Sequence, residues 1–293
     1  MADESIAGVE TPARRRLESR LDELVRGNRF TIAVLFPLAG AVLLVASAQG
    51  RLPPALSFNP WLVLFGTLVM RLPLLAGVAP VVDRRAGAAL AILTAYAYAV
   101  EYLGATTGIP YGSFSYGVAL GPMVGGAVPL GLPLFFVPLV LDASLLALLS
   151  ADRAGAGRAV RVALAVAIVL AVDLVLDPGA VALGFWEYAA GGPYYGVPWT
   201  NFAGWLLSAT VAVGLLEWGL DRAALQVRLR SCEFALDDLV SFVCLWGSIA
   251  AIYAAPIPLA IAVGILYALV RTERVDPGVL AALPSVVDRW RGS

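Results

Sequence analysis

The stretch DLVLDPGAVALGFWEYAAGGPYYGVPWTNFAGW, Asp173 to Trp205, sets three carboxyls and two Gly/Pro-rich turns between long apolar runs. Both flanks read as lipid-buried. Ionisable residues inside a span are costly and by default mark a functional site. Asp173 and Asp177 stand at i and i+4 and so share one helix face. Pro178 has no N–H, which predicts that the carbonyl of Leu174 loses its helical donor and that the helix kinks or ends there. A bent helix with two carboxyls at the bend reads as a reaction site rather than scaffolding.

Composition extends that reading to the whole chain. The 293 residues are 60% hydrophobic and 14% charged, with a mean hydropathy of +0.84. Soluble domains run to about 45–50% apolar and about 25% charged. The sequence predicts an all-α, polytopic membrane bundle in the cell membrane. All 20 basic residues are arginine, with no lysine and no histidine. Lacking lysine, the chain cannot form a retinal Schiff base. Lacking histidine, it has no imidazole metal ligand, histidine-ligated haem or His-based triad. The arginine bias with abundant Ala, Gly and Val points to a GC-rich genome and a halophilic source. Cys232 and Cys244 are not a C-x-x-C pair and read as reduced thiols without function.

Apolar runs fall at about 30–48, 60–80, 86–106, 128–150, 159–186, 201–219, 237–253 and 256–271. Each is near the roughly 20 residues that a bilayer requires, which predicts about eight spans. The break at Ala254–Pro256 is the weakest boundary. No short apolar core with a cleavage site precedes the first run, so no cleaved signal peptide is expected. With eight spans, the terminal segments and the loops after spans 2, 4 and 6 share one side. They hold 18 arginines, and the opposite loops hold only Arg51. The positive-inside rule then makes both termini cytoplasmic. The chain divides into a cytoplasmic segment 1–29, a membrane domain 30–271 and a cytoplasmic tail 272–293.

Two loops without arginine fall on the outer side. Thr106–Ala127 carries Ile109-Pro110-Tyr111-Gly112, and Glu187–Thr200 carries Gly192-Pro193-Tyr194-Tyr195-Gly196-Val197-Pro198. Both join Gly, Pro and Tyr, follow a helix ending in a carboxyl (Glu101, Glu187) and finish in Val-Pro. This reads as a weak internal repeat of spans 3–4 in spans 5–6. Interfacial aromatics occur at membrane faces regardless of function, so single tyrosines carry little weight, whereas paired loops beside buried carboxyls carry more.

Glu101 shares a face with Thr94 and Tyr98, and Asn201, Trp205 and Ser208 form an i, i+4, i+7 stripe. These groups and the aspartates converge in the outer half of the bilayer if spans 3, 5 and 6 pack together. Arg71, the only mid-membrane cation, is expected either to neutralise Glu101 or Asp173 as a structural pair or to contribute to the site. Asp142 lies away from the cluster, in a structural role. Glu217, Asp237 and Asp238 read as solvated at the cytoplasmic interface, and Arg222, Arg228 and Arg230 as topology determinants. Gly204 is expected to permit close helix packing.

These residues resemble the membrane-integral carotenoid hydratases of bacterioruberin and gamma-carotene pathways. The likeness rests on Glu101 with Gly104 and Thr107-Gly108-Ile109-Pro110-Tyr111-Gly112, then Asp173 and Asp177-Pro178. It continues through Gly184-Phe185-Trp186, Tyr194-Tyr195-Gly196-Val197-Pro198 and Asn201-Phe202-Ala203-Gly204-Trp205, and covers roughly spans 2 to 8. The resemblance implies addition of water to the terminal isopropylidene double bond of an acyclic carotenoid, with bisanhydrobacterioruberin favoured by the halophile-like composition. It implies a substrate drawn from the lipid phase, membrane lipids and other carotenoid enzymes as neighbours, and no nucleic acid.

Such a hydration needs no redox cofactor and no metal. An acid protonates the alkene, a tertiary cation forms, and water is captured with the help of a base. Burial and mutual repulsion favour a proton on one of two close carboxyls. Asp173 and Asp177 are therefore the expected acid pair, with Glu101 or the second aspartate as the base. Expected substrate contacts are Trp186, Glu187, Tyr194, Tyr195, Asn201, Trp205, Tyr98, Tyr111 and Arg71, with aromatic faces steadying the cation. Asn201 and the freed carbonyl at the bend are expected to orient water. Three other readings stay open: a carotenoid end-group cyclase, an intramembrane prenyltransferase and a proton-coupled transporter.

Overall fold

A computed structural model describes residues 12–274. The N-terminal segment 1–11 and most of the expected tail, Arg289 and Arg291 included, lie outside the described residues.

The chain is a helical bundle. Helix α1 (Pro12–Gly27) precedes a π-helical segment, Thr31–Leu35, that runs directly into α2 (Phe36–Ala48). Then come α3 (Pro60–Val78), α4 (Arg84–Thr107), α5 (Pro133–Arg153), α6 (Arg158–Leu183) and α7 (Trp199–Gly219). The short α8 (Arg222–Ser231) leads to α9 (Asp237–Ile252) and α10 (Pro256–Arg271). Their starts are legible in the chemistry. Asn59 caps α3 by accepting the N–H of Trp61 and Leu62, and Asp83 caps α4 through Ala86 N–H. Pro60, Pro133 and Pro256 occupy first helical positions, where no N–H is needed.

Among the described residues, six helical stretches are long and apolar enough to cross a bilayer: Thr31–Ala48, Pro60–Val81, Arg84–Thr107, Pro133–Arg153, Arg158–Leu183 and Trp199–Gly219. They match the first six apolar runs of the sequence. The last two runs form α9 and α10, separated at Tyr253–Ala255. Each has 16 residues, or about 24 Å of helix against a hydrocarbon core of about 30 Å. Large apolar side chains such as Val42, Phe65, Val263 and Tyr267 stand exposed on the bundle's outside, as lipid-facing positions would.

Helix α6 lies at the centre, packed against α5, α7, α9 and α10. It does not end at Pro178 but continues to Leu183. The carbonyl that Pro178 leaves without a backbone donor, that of Leu174, accepts the Tyr194 hydroxyl at 3.1 Å. A side chain from the following loop thus restores the bond that the proline removes.

Two departures from the sequence reading concern the ends. The polar N-terminal segment carries α1, whose Val25 is fully buried and which packs on α3. The expected solvated pair Asp237 and Asp238 is buried instead. Arg29 holds Asp237 through Nε at 2.7 Å and Arg71 holds Asp238, so each charge enters the protein with a partner.

The bundle is not wholly helical. The two Gly-, Pro- and Tyr-bearing loops meet in an antiparallel ribbon of β1 (Phe114–Tyr116) and β4 (Trp186–Tyr188), with Phe114 opposite Tyr188 and Tyr116 opposite Trp186. Gly117 N–H to Phe185 O and Ala189 N–H to Ser113 O extend it on either side. A smaller ribbon joins β2 (Met123–Val124) to β3 (Val128–Pro129) within the first loop. Buried backbone must find partners, and here the two loops supply them to each other.

Candidate active site

Strand alternation puts Phe114, Tyr116, Trp186 and Tyr188 on one face of the long ribbon, and Ser115 and Glu187 on the other. The aromatic face roofs a cavity of about 1240 Å³ of atom-free space, mouth included. Its walls come from α3, α4, α5, α6, α7 and α9. They are apolar except for a few convergent groups: Glu101, Asp177, Asn201, Thr67 and the phenols of Tyr111, Tyr116 and Tyr188. A largely apolar cavity with few aimed polar groups is the usual form of a small-molecule site.

Each cavity carboxyl is held by a tyrosine from the ribbon. Tyr116 donates to Glu101 Oε1 at 2.5 Å, and Tyr188 donates to Asp177 Oδ2 at 3.0 Å. Burial pushes both phenols up, with the neighbouring carboxyls adding to it. Both therefore remain donors across the ordinary pH range. Asn201 Nδ2 donates to the same Asp177 oxygen and to Asp173 Oδ2, the latter at 3.2 Å. Two donors on Asp177 Oδ2 leave Oδ1 unengaged among the described residues. No arginine forms an ion pair with Glu101, Asp173 or Asp177 among the described residues.

The geometry sharpens the internal repeat. Glu101 and Asp177 each lie seven residues before a left-handed glycine that closes the helix, Gly108 and Gly184, both at φ 77°. Each helix then feeds a strand whose tyrosine returns to its carboxyl. Glu101 therefore corresponds to Asp177, not to Glu187 as the loop composition suggested; Glu187 faces away from the cavity.

Of the residues singled out in the sequence, Glu101, Asp177, Tyr111, Trp186, Asn201 and Trp205 meet at the cavity. Trp205 stacks on Phe136 with centroids 5.2 Å apart, and the Tyr111 hydroxyl engages Ser208 at 2.7 Å. Gly204 serves this packing rather than a helix contact. A Cβ there would stand 2.5 Å from the Tyr111 ring. Asp173 is fully buried behind Asp177 and does not line the cavity; its Oδ1 has no partner among the described residues. Tyr194 is engaged with Leu174, Tyr98 donates to Leu130 O at 2.6 Å, and Tyr195 stands half-exposed beside Ile257.

Arg71 corrects an expectation. It neutralises neither Glu101 nor Asp173 but pairs with Asp238 and donates to Leu134 O at 3.0 Å. The reason is reach: from α3 its side chain meets the start of α9, below the cavity. The freed carbonyl at Pro178 is likewise occupied by Tyr194 rather than left open for water. Tyr116 and Tyr188 were not singled out in the sequence. Their signal was present in the aromatic–polar–aromatic alternation of Phe114-Ser115-Tyr116 and Trp186-Glu187-Tyr188.

No solved structure matches the chain. Bisanhydrobacterioruberin hydratase of Haloarcula japonica is 56% identical over 275 residues, spanning 94% of each chain. The family model for carotenoid biosynthesis protein matches residues 58–269, a span that contains every wall of the cavity except its α2 edge. The chain belongs to the carotenoid biosynthesis protein family.

Proposed function

We propose that this protein hydrates the terminal isopropylidene double bond of an acyclic carotenoid, with bisanhydrobacterioruberin as the favoured substrate. The observation that carries the reading is the cavity itself: two carboxyls, Asp177 and Glu101, face one apolar space under an aromatic roof, with no cation beside them among the described residues. The name of the Haloarcula japonica relative supports the same reaction.

Asp177 acts as the acid. Burying an unpaired carboxylate is expensive, so a cation-free apolar setting favours the neutral acid. The two donors on Oδ2 leave Oδ1 as the oxygen that carries the proton. Transfer of that proton to the less substituted alkene carbon leaves a tertiary cation. Trp186, Trp205 and the ribbon aromatics offer π faces to it. Water adds to the tertiary carbon and Glu101 accepts the released proton, with Tyr116 holding the carboxylate. Return of a proton from Glu101 to Asp177 closes the cycle, and no redox cofactor or metal enters the balance. Asp173 positions Asn201, which in turn fixes Asp177.

The same reading places the protein in the cell membrane with about eight spans. The 18 arginines then lie on the cytoplasmic side with segments 1–29 and 272–293, around a membrane domain 30–271. The carotenoid end enters from the lipid phase. Reporter fusions after Gly117 and Gly192 read outside in this arrangement, and fusions after Arg85 and Arg153 read inside. For the reaction, the chain is expressed in cells that accumulate the anhydro carotenoid. The pigment is expected to gain the mass of one water per hydrated end and a tertiary hydroxyl. Unchanged mass with a new ring identifies a cyclase and overturns the proposal.

A further inference from the structure

The carboxyls of the cavity lie under the ribbon, so a lipid-soluble substrate needs a way in. Most seams between the cavity's walls are closed. A Cβ at Gly131, just before α5, would stand 2.3 Å from Leu64 of α3. One at Gly179 of α6 would stand 2.8 Å from the Trp246 ring of α9. On the α4 side a Cβ at Gly125 would stand 2.8 Å from the Tyr102 ring, and Tyr98 is tied to Leu130 O. Walls that cannot take one more methyl group leave no path for a hydrocarbon chain.

The seam between α2 and α3 is built differently. At one end Phe36 meets Phe65 edge to face, with centroids 6.4 Å apart, and the Phe36 ring covers Gly66. At the other end Phe58 donates its N–H to Ser47 Oγ at 3.3 Å and sets its ring against Phe185, 5.5 Å between centroids. Phe58 does so from a left-handed backbone at φ 45°, which a bulky residue adopts only when its surroundings impose it. Between these two bridges, a Cβ at Gly40 of α2 would meet Leu245 of α9 at 3.5 Å and nothing of α3 among the described residues. At that level Leu44 of α2 and Val63 of α3 line the cavity, both partly exposed. Their neighbours Leu43 and Leu62 stand exposed on the bundle's outside.

We propose that the cavity opens to the lipid through this α2–α3 window, and that the substrate's polyene threads it past Leu44 and Val63 while the reacting end lies beside Asp177. The identity of the thread rests on the hydratase reading above; the opening does not. Conjugation keeps a polyene straight and stiff, so it cannot coil up inside a cavity next to its own end. The rest of the chain must leave through a gap. A gap bordered by Leu43, Leu44, Leu62 and Val63 takes hydrocarbon without stranding a polar group, and it offers water and ions no partner. Phe58 and the Phe36–Phe65 pair frame the window and set how wide a chain it admits.

Crosslinking across the window tests it. In the full chain carrying Cys232→Ala and Cys244→Ala, Leu43→Cys and Leu62→Cys are joined by a bis-methanethiosulfonate reagent, which dithiothreitol releases. The detergent-purified protein is then offered the anhydro carotenoid. The joined form is expected to retain several-fold less pigment than the same variant before joining, and to recover when the link is reduced. Its hydration rate is expected to fall and recover in step. Joining Val263→Cys to Tyr267→Cys on the exposed face of α10 is the control and leaves retention unchanged. Val63→Trp, which fills the window without a reagent, is expected to raise the carotenoid KM several-fold with a smaller effect on kcat. Undiminished retention in the joined form overturns the window, as does an unchanged KM in Val63→Trp. Failure of both a short and a long reagent to join the two positions overturns it as well, since they then border no common gap. A wild type that retains the carotenoid without hydrating it overturns the hydratase reading alone, because retention is read without turnover.

Discussion

The acids at the two ends of this bundle keep different company. Toward the arginine-rich end, Asp22, Asp152, Glu217, Asp237 and Asp238 each meet a guanidinium, from Arg228, Arg222, Arg161, Arg29 and Arg71. Beneath the outer ribbon, Glu101, Asp173 and Asp177 meet phenols and a carboxamide instead. A guanidinium fixes a carboxylate as an anion and leaves it little to do but hold helices together. A phenol or an amide orients a carboxyl in either protonation state. The partner, more than the acid, separates structure from chemistry here.

Substitutions that exchange the two behaviours test that contrast. Asp177→Asn keeps the shape and removes the proton; hydration is expected to fall by about 10²–10⁴-fold at normal protein level. Pigment analysis at matched expression checks it, and wild-type turnover would remove Asp177 from the chemistry. Arg71→Met strands Asp238 and is expected to cost about 3–5 kcal/mol of stability. The readout is the fraction folded after heating in detergent. The double variant Arg71→Met with Asp238→Leu should recover much of the loss, and no recovery would mean that Arg71 does more than pair.

Tyr188→Phe keeps the ring in the roof and removes one donor from Asp177. The expected cost is about 0.5–1.5 kcal/mol, roughly two- to tenfold in kcat, with melting little changed. A drop in stability with normal specific activity would instead place Tyr188 among the scaffold residues. Arg158→Ala should do least: its side chain is mostly exposed and Arg161 already holds Glu217. A change of about 0–1 kcal/mol is expected, and a larger one would show that the inner ion pairs act as a network.

Much of this was legible in the chain. Apolar runs located the long helices and the break before Pro256, because lipid imposes a length and a polarity that local sequence must obey. Asp177, Glu101, Asn201 and Trp205 stood out because polar groups in such runs are rare. What was not legible is what depends on distant partners. Asp237 and Asp238 sit at a helix start and read as solvated; only the packing of α9 against the first span and α3 brings Arg29 and Arg71 to them. Asp173 and Asp177 share a helix face, but the sequence could not say that the cavity lies only at Asp177. The repeat was visible as composition, and its register was wrong until the glycine caps aligned Glu101 with Asp177.

The outer ribbon has a consequence for how the protein comes into being. Its strands are separated along the chain by the 72 residues from Tyr116 to Tyr188, about 4–14 s of synthesis at roughly 5–20 residues per second. Through that interval the first half is inserted with Glu101 in place but half its roof unmade. Arrival of the second loop is what completes the roof of the cavity. A chain stalled before Tyr188 would sit in the membrane as an open trough, able to collect lipid but lacking Asp177's phenol, and maturation would be a single event of strand pairing.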